Sequence, residues 1–260
     1  MPSYLVTGAN RGLGYGFVQH LAKDSSNTII GLVRNKAAAD KSVAADGLKH
    51  VTMLEADISD RKALLAAREE VNKITGGSLD YLINNAAYID RNTEGALDDY
   101  EETDPESLER ELKASFNVNV VGVINTINIF LPLIKNGAAK KVVVISSGMA
   151  DPDLVNGGGI SNAGPYTISK AAVNMAVFKY NAKYKDQGIL FFALSPGVVA
   201  TWEGEEPVAL QGLRQMMPGW SGPLQPLESA EMCVKVIHDS SLEKGSGGSF
   251  VSHHGNKEWM

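Results

Sequence analysis

Short apolar runs rich in β-branched residues alternate along the chain with longer stretches whose apolar positions recur at helical spacing. Tyr4 to Thr7, Thr28 to Val33, Val51 to Glu55, Leu79 to Ile83, Lys141 to Ile145, Ile189 to Leu194 and Ser249 to Ser252 read as strands. Between them, Tyr15 to Lys23, Arg61 to Ile74, Leu108 to Leu131, Pro165 to Tyr184 and Leu227 to His238 read as helices. The run from Lys141 to Ile145 is continuously apolar after its first residue, as expected of a strand covered on both faces. Ala37 to Ala45 fits a surface helix or loop, and the polar, acidic stretch from Asp90 to Asp104 fits a loop.

Strand and helix alternating over the whole length predict an α/β fold: a doubly wound parallel sheet of Rossmann type, in three α/β/α layers. Such a sheet has one crevice, at the C-terminal ends of its strands, where the strand order reverses. Residues 1–260 read as a single domain with no linker and no internal repeat. Two segments break the rhythm. The region near 148–165 carries Gly157-Gly158-Gly159 and reads as an inserted loop, and the Gly- and Pro-containing region near 200–225 is placed to overhang the crevice as a lid.

Composition narrows the function. The chain is 44% hydrophobic and 21% charged, which is globular rather than disordered. A net charge of −6 argues against a general nucleic-acid grip, so no nucleic-acid partner is expected. Cys233 is the sole cysteine, which excludes an internal disulfide and suits a reducing compartment. The first residues show no basic segment followed by a long apolar one, so a cytoplasmic protein without a membrane partner is expected.

Thr7-Gly8-Ala9-Asn10-Arg11-Gly12-Leu13-Gly14 joins the first strand to the first helix. Glycines there permit a tight turn and let backbone amides approach a pyrophosphate at the helix N-terminus. The spacing differs from G-x-G-x-x-G, and by itself the turn also fits a βα connection that binds nothing. Tyr166 and Lys170 stand four apart on a predicted helix and share a face. A phenol titrating near pH 10 is a poor acid–base catalyst at neutral pH, and a neighbouring ammonium favours its phenolate.

Together these segments resemble the short-chain dehydrogenase/reductase family of the classical type, and within it the carbonyl-reductase-like branch. The glycine turn is similar to T-G-x-x-x-G-x-G. Asp57 follows the third strand, and Asn84-Asn85-Ala86-Ala87 resembles N-N-A-G with alanine at the last position. Asn119-Val120-Val121-Gly122, Ser146-Ser147, Tyr166-Thr167-Ile168-Ser169-Lys170 and Pro196-Gly197 with Thr201 follow in the family's order. The resemblance implies Tyr166 as acid/base, Lys170 as its tuner and ribose ligand, Ser147 as the carbonyl-polarising serine and Asn119 as orienter of a water-linked proton relay. It implies cofactor contacts at Gly8, Asn10, Arg11, Gly12, Leu13, Gly14, Arg34, Asp57, Ile58, Asn85, Ala86, Tyr166, Lys170, Pro196, Gly197, Val199 and Thr201.

Ser147 stands further ahead of Tyr166 than the family serine stands ahead of its tyrosine, and Asp151 to Gly164 absorbs the difference. Ser146 is the alternative. Asp153 has the family spacing, but an ionised carboxylate would repel a developing oxyanion. At the end of the second strand, Val33-Arg34-Asn35-Lys36 offers no carboxylate for a ribose 2′-hydroxyl. Arg34 and Arg11 suit a 2′-phosphate, so the expected cofactor is NADP(H). Asp40 comes too late in the chain to fill the acidic slot.

The reading is therefore an NADP(H)-dependent reductase of a ketone or aldehyde, acting on a small-molecule carbonyl or alcohol, with no metal. A homodimer or homotetramer is the family's usual assembly. A cofactor-sensing protein without catalysis, and a nucleotide-sugar epimerase or dehydratase, are the alternatives on this fold. Outside the motifs, His253-His254 reads as a loop or tail pair, Cys233 as core, and Asp98, Asp99, Glu101 and Glu102 as a solvated run. Trp202, Met216, Met217 and Trp220 either line an apolar substrate pocket or pack the lid.

Overall fold

Side chains that alternate along each strand fill two separate apolar clusters, one on each face of a single sheet. The computed structural model describes residues 1–90, 95–202, 204, 210, 213–214 and 219–260, with the backbone alone at 102 and 103. Its strands are β1 (Ser3–Thr7), β2 (Thr28–Val33), β3 (Val51–Glu55), β4 (Tyr81–Asn84), β5 (Lys141–Ile145), β6 (Leu190–Ser195) and β7 (Phe250–Ser252). All pair in parallel, in the order β3-β2-β1-β4-β5-β6-β7. The order reverses between β1 and β4, so the crevice opens above their C-terminal ends.

Leu5, Ile30, Leu32, Leu82, Val142, Val144 and Phe191 point to one face, where they meet α3 (Arg61–Thr75), α6 (Val123–Asn136) and α8 (Gly164–Tyr184). Their neighbours Tyr4, Val6, Ile29, Val33, Ile83, Val143, Ile145 and Phe192 point to the other, against α1 (Gly12–Leu21) and α9 (Pro226–Asp239). Phe17, Phe130, Phe191 and Phe192 are fully buried, and burying such a side chain contributes about 2–3 kcal/mol. This double coverage is why the central strands carry almost no polar residues.

The boundaries depart from the pattern where local chemistry overrides periodicity. Helix α1 begins within the glycine turn at Gly12, three residues ahead of the predicted Tyr15. Lys36–Ala45 is helical (α2), capped by the Asn35 side chain, which accepts from the Ala38 amide. The stretch predicted as loop before 105 contains the short α4 (Asp99–Thr103), and the long helix after it starts at Pro105. Within that acidic run Tyr100 is buried and Asp98, Asp99 and Glu101 are exposed, while the Glu102 side chain lies outside the described residues. Pro132 does not end the long helix, which continues to Asn136. One missing amide hydrogen bond is outweighed by the burial of Ile129, Phe130, Leu133 and Ile134 around it.

That helix is α5 (Pro105–Phe116) joined to α6 through a π-helical turn, Asn117–Gly122. By length and composition Pro105–Asn136 could cross a membrane, but most of its apolar window is buried inside the protein. The inserted segment is not plain loop. It holds a 3-10 turn, Gly148–Ala150, and α7 (Pro152–Gly158), whose first amides are capped by Asp151.

Candidate active site

The tops of β1 and β4 are laced together before any ligand chemistry is considered. The Thr7 hydroxyl accepts from the Asn85 and Ala86 amides, both at 3.0 Å. The Asn85 amide group donates back to the carbonyls of Thr7 (3.0 Å) and Gly8 (3.3 Å). The glycine turn is thereby pulled so close that a Cβ at Gly14 would lie 2.1 Å from the Gly8 carbonyl oxygen. Only hydrogen fits at that position, and the turn's backbone stays bare.

A cleft of about 670 Å³ opens above this turn. Its walls include Gly8, Asn10, Arg11, Gly12, Leu13, Gly14, Arg34, Asp57, Ile58, Asn85, Ala86 and Thr201, residues that the sequence assigned to a cofactor. Pro196, Gly197 and Val199 lie on the loop after β6. Val199 bridges to Leu224, and the Ser229 hydroxyl donates to the Pro196 carbonyl at 2.7 Å. Trp202 joins the cleft wall, whereas the Arg214 guanidinium stacks over Trp220 at 5.4 Å. Met216 and Met217 lie outside the described residues. The bare cradle and the two arginines on its wall fit a phosphorylated dinucleotide.

At the adenosine end, Asp40 is ion-paired with Lys36 on the same helix and does not enter the cleft wall. A carboxylate does stand nearby, on β3 rather than β2. Glu55 pairs in register with Val33 and accepts from the Lys36 amide at 3.3 Å. The Asp57 carboxylate accepts from the Ser59 amide at 2.8 Å and from its hydroxyl at 2.6 Å.

The proposed proton-transfer groups meet above β5. Ser147 lies close enough to Tyr166 for its hydroxyl to favour the phenolate. Ser146, by contrast, is 2% exposed and its hydroxyl has no partner among the described residues, so the strand's alternation presents Ser147 to the site. Lys170 is buried, donates to the Ile145 carbonyl at 2.8 Å, and lies 5.6 Å from the Tyr166 ring centre. Burial pushes the Tyr166 phenol up to about 12, with Ser147 pulling the other way. Burial also brings the Lys170 ammonium down to about 8. The expected depression of the phenol by Lys170 does not appear: its shift comes from burial, opposed by Ser147.

The Asn119 side chain is spent on structure: Oδ1 accepts from the Tyr88 amide (2.7 Å), and Nδ2 donates to the Tyr88 carbonyl and the Ser169 hydroxyl (both 2.9 Å). Ser169 in turn donates to the Tyr166 carbonyl at 2.6 Å. Asn119 thus ties the segment after β4 to the first turns of α8.

Tyr88 and Glu111 were not legible beforehand. The Tyr88 phenol lines the cleft side of the site and donates to the buried Glu111 carboxylate at 2.8 Å. Burial first, then that carboxylate, pushes it up to about 12. The only sequence signal was position: Tyr88 directly follows the Asn-Asn-Ala-Ala motif.

A family model described as short chain dehydrogenase matches residues 3–207. The short-chain dehydrogenase/reductase AacuF of Aspergillus aculeatus is 46% identical, with all of both chains covered. The short chain dehydrogenase virK of Hypocrea virens is 43% identical, again with both chains fully covered. Among solved structures, the NADPH-bound carbonyl reductase from chicken fatty liver superposes with a TM-score of 0.79 at 27% identity, covering 98% of each chain.

Proposed function

The chain belongs to the short-chain dehydrogenase/reductase family, and from that premise we propose that it is an NADP(H)-dependent reductase of a ketone or aldehyde. The observation that carries the reading is the convergence of Ser147, Tyr166 and Lys170 above β5. The NADPH-bound carbonyl reductase with the same fold supports it.

When bound, the dihydronicotinamide supplies a hydride to the carbonyl carbon and is left oxidised. The rest is the work of the chain. Ser147 and Tyr166 donate hydrogen bonds to the carbonyl oxygen and polarise it. Tyr166 gives that oxygen its proton as the carbon receives the hydride, so the product is a neutral alcohol. The Lys170 ammonium stabilises the phenolate left behind, and the Asn119 carbonyl orients water for its reprotonation. Gly8, Gly12 and Gly14 leave room for the pyrophosphate, while Arg11 and Arg34 take the 2′-phosphate.

The test is titration of the protein with NADPH and NADH, then addition of ketones, aldehydes and quinones while reduced-nicotinamide absorbance is followed. NADPH binding with substrate-dependent oxidation is expected. Binding with no turnover over the whole panel would favour a cofactor sensor. Substrate conversion without net nicotinamide oxidation would favour an epimerase or dehydratase.

The pH profile has a definite sign. The Tyr166 phenol, titrating at about 12, keeps its proton through the working range. Lys170 loses its proton as the pH rises through about 8. Reduction is therefore expected to hold level near neutrality and to decline about tenfold per unit well above pH 8. A decline on the acid side instead, in kcat/KM against pH, would contradict this assignment.

We further propose a homodimer. Phe116, Val121, Ile168 and Met175 are large apolar side chains left 40–54% exposed on the packed helices α5 and α8 and the turn after α5. Pro165 and Leu112 complete an apolar groove between them. Phe116→Glu is expected to convert the protein to a monomer in light scattering, with NADPH affinity retained; an unchanged mass would remove this face as the interface.

A further inference from the structure

We infer that His253 is a positioning residue for the nicotinamide end of the site, and that the segment 253–260 locks the two substrate-facing loops into one body. The inference rests on the reductase reading and adds to it residues outside every motif on which that reading depends.

The register of the last strand places His253 where it can act. Ser252 pairs with Ser195, so the next residue on each strand, His253 and Pro196, emerge side by side at the top of the sheet. Gly197 follows with φ +79°. A Cβ on Gly197 would lie 2.8 Å from His253 Cε1, 3.0 Å from Nδ1 and 3.3 Å from Nε2. The imidazole is thus laid directly against the Gly197 α-carbon, and the glycine is required by the ring as well as by its own left-handed backbone.

The ring itself is held. His253 is 4% exposed and packs against His254, the rings tilted by 40° with centres 4.0 Å apart. Its Nδ1 is buried with no hydrogen-bond partner among the described residues. Burial, then His254, pushes it down to about 4, so it is neutral under working conditions. A buried polar nitrogen without a partner is a cost that packing elsewhere must offset. Its retention beside Gly197 is accounted for by a flat, uncharged plate under a loop that has to lie still.

The same segment reaches the other loop. The Lys257 ammonium pairs with the buried Asp151 carboxylate at 3.0 Å, and Asp151 caps α7. Trp259 stacks on Phe250 and packs on Gly148, where a Cβ would come 2.9 Å from the Trp259 Cβ. Gly148 directly follows Ser147, and its amide donates to the Ser195 hydroxyl at 2.9 Å. Residues 253–260 therefore bear on the loop that carries Gly197 and on the loop that carries Ser147, from opposite ends of one short stretch. A nicotinamide held by the Gly197 loop would then face Ser147 at a separation these contacts fix, as a transfer over a short distance demands.

Two variants separate this from general loss of stability. His253→Ala is expected to raise the NADPH dissociation constant, read by nicotinamide fluorescence, about tenfold. His253→Phe, which keeps the flat ring, should restore it to within about twofold. Lys257→Met removes an exposed cation and leaves the His253 plate in place. It should leave NADPH affinity unchanged and raise the KM for carbonyl about fivefold. Wild-type affinity in His253→Ala overturns the inference, as does an equal loss in the Phe variant. If His253→Ala does not fold by circular dichroism, Lys257→Met decides, and an unaltered carbonyl KM overturns it. Wild-type protein that binds no NADPH would remove the reductase reading and this inference together. Wild-type binding with unresponsive variants would remove the inference alone.

Discussion

Tyr166→Phe is expected to lower kcat for carbonyl reduction about a thousandfold while leaving the NADPH dissociation constant within about twofold. The substitution removes one oxygen atom. That oxygen lies near the Ser147 hydroxyl, and it carries the proton that the proposed mechanism hands to the substrate oxygen. The ring stays, and with it the Lys170 ammonium 5.6 Å from its centre. The hydrogen bond from Lys170 to the Ile145 carbonyl is also untouched. Binding and chemistry should therefore separate cleanly. Stopped-flow measurement of nicotinamide oxidation would read the first effect, and fluorescence titration the second. A variant that retained a tenth or so of the wild-type rate would move the proton donor to another group.

The fold was readable because burial on both faces of a parallel sheet leaves a plain trace. Val142, Val143, Val144 and Ile145 could hardly belong to anything but a covered central strand. The glycine turn and the Tyr166/Lys170 pair were readable because each depends on local spacing along one element. What escaped was made by distant residues meeting. Glu111 finds Tyr88 across 23 positions, Glu55 reaches the start of α2 from the neighbouring strand, and Lys257 finds Asp151 across 106 positions. No periodicity marks such pairs. Asn119 shows the same limit from the other side. Its motif position was plain, but only the structure shows both side-chain donors consumed by Tyr88 and Ser169. In sequence, His253-His254 reads as a loop or tail pair, and it does follow the last strand; the burial of His253 against Gly197 depends on the β6–β7 register.

Arg34→Glu is expected to weaken NADPH binding about a hundredfold and to leave NADH binding within a few-fold. Arg34 is exposed at the end of β2 and lines the cleft wall together with Arg11. A hydrogen bond between charged groups contributes about 1.5–3 kcal/mol, and reversal of the charge adds repulsion to its loss. The ribose 2′-hydroxyl of NADH carries no such charge and loses little. Glu55 sets the background against which Arg34 works, because its carboxylate sits at the first turn of α2 and accepts from the Lys36 amide. With Arg34 reversed, a new carboxylate on the cleft wall would add to that of Glu55 nearby, and Arg11 would remain on the wall. The effect should shrink as salt is raised from low to physiological ionic strength, since dissolved ions screen solvent-exposed charges such as Arg34. Equal and small changes for the two dinucleotides, in parallel titrations at two salt concentrations, would show that Arg34 does not meet the 2′-phosphate. The preference for NADPH would then have to rest on Arg11, or be absent.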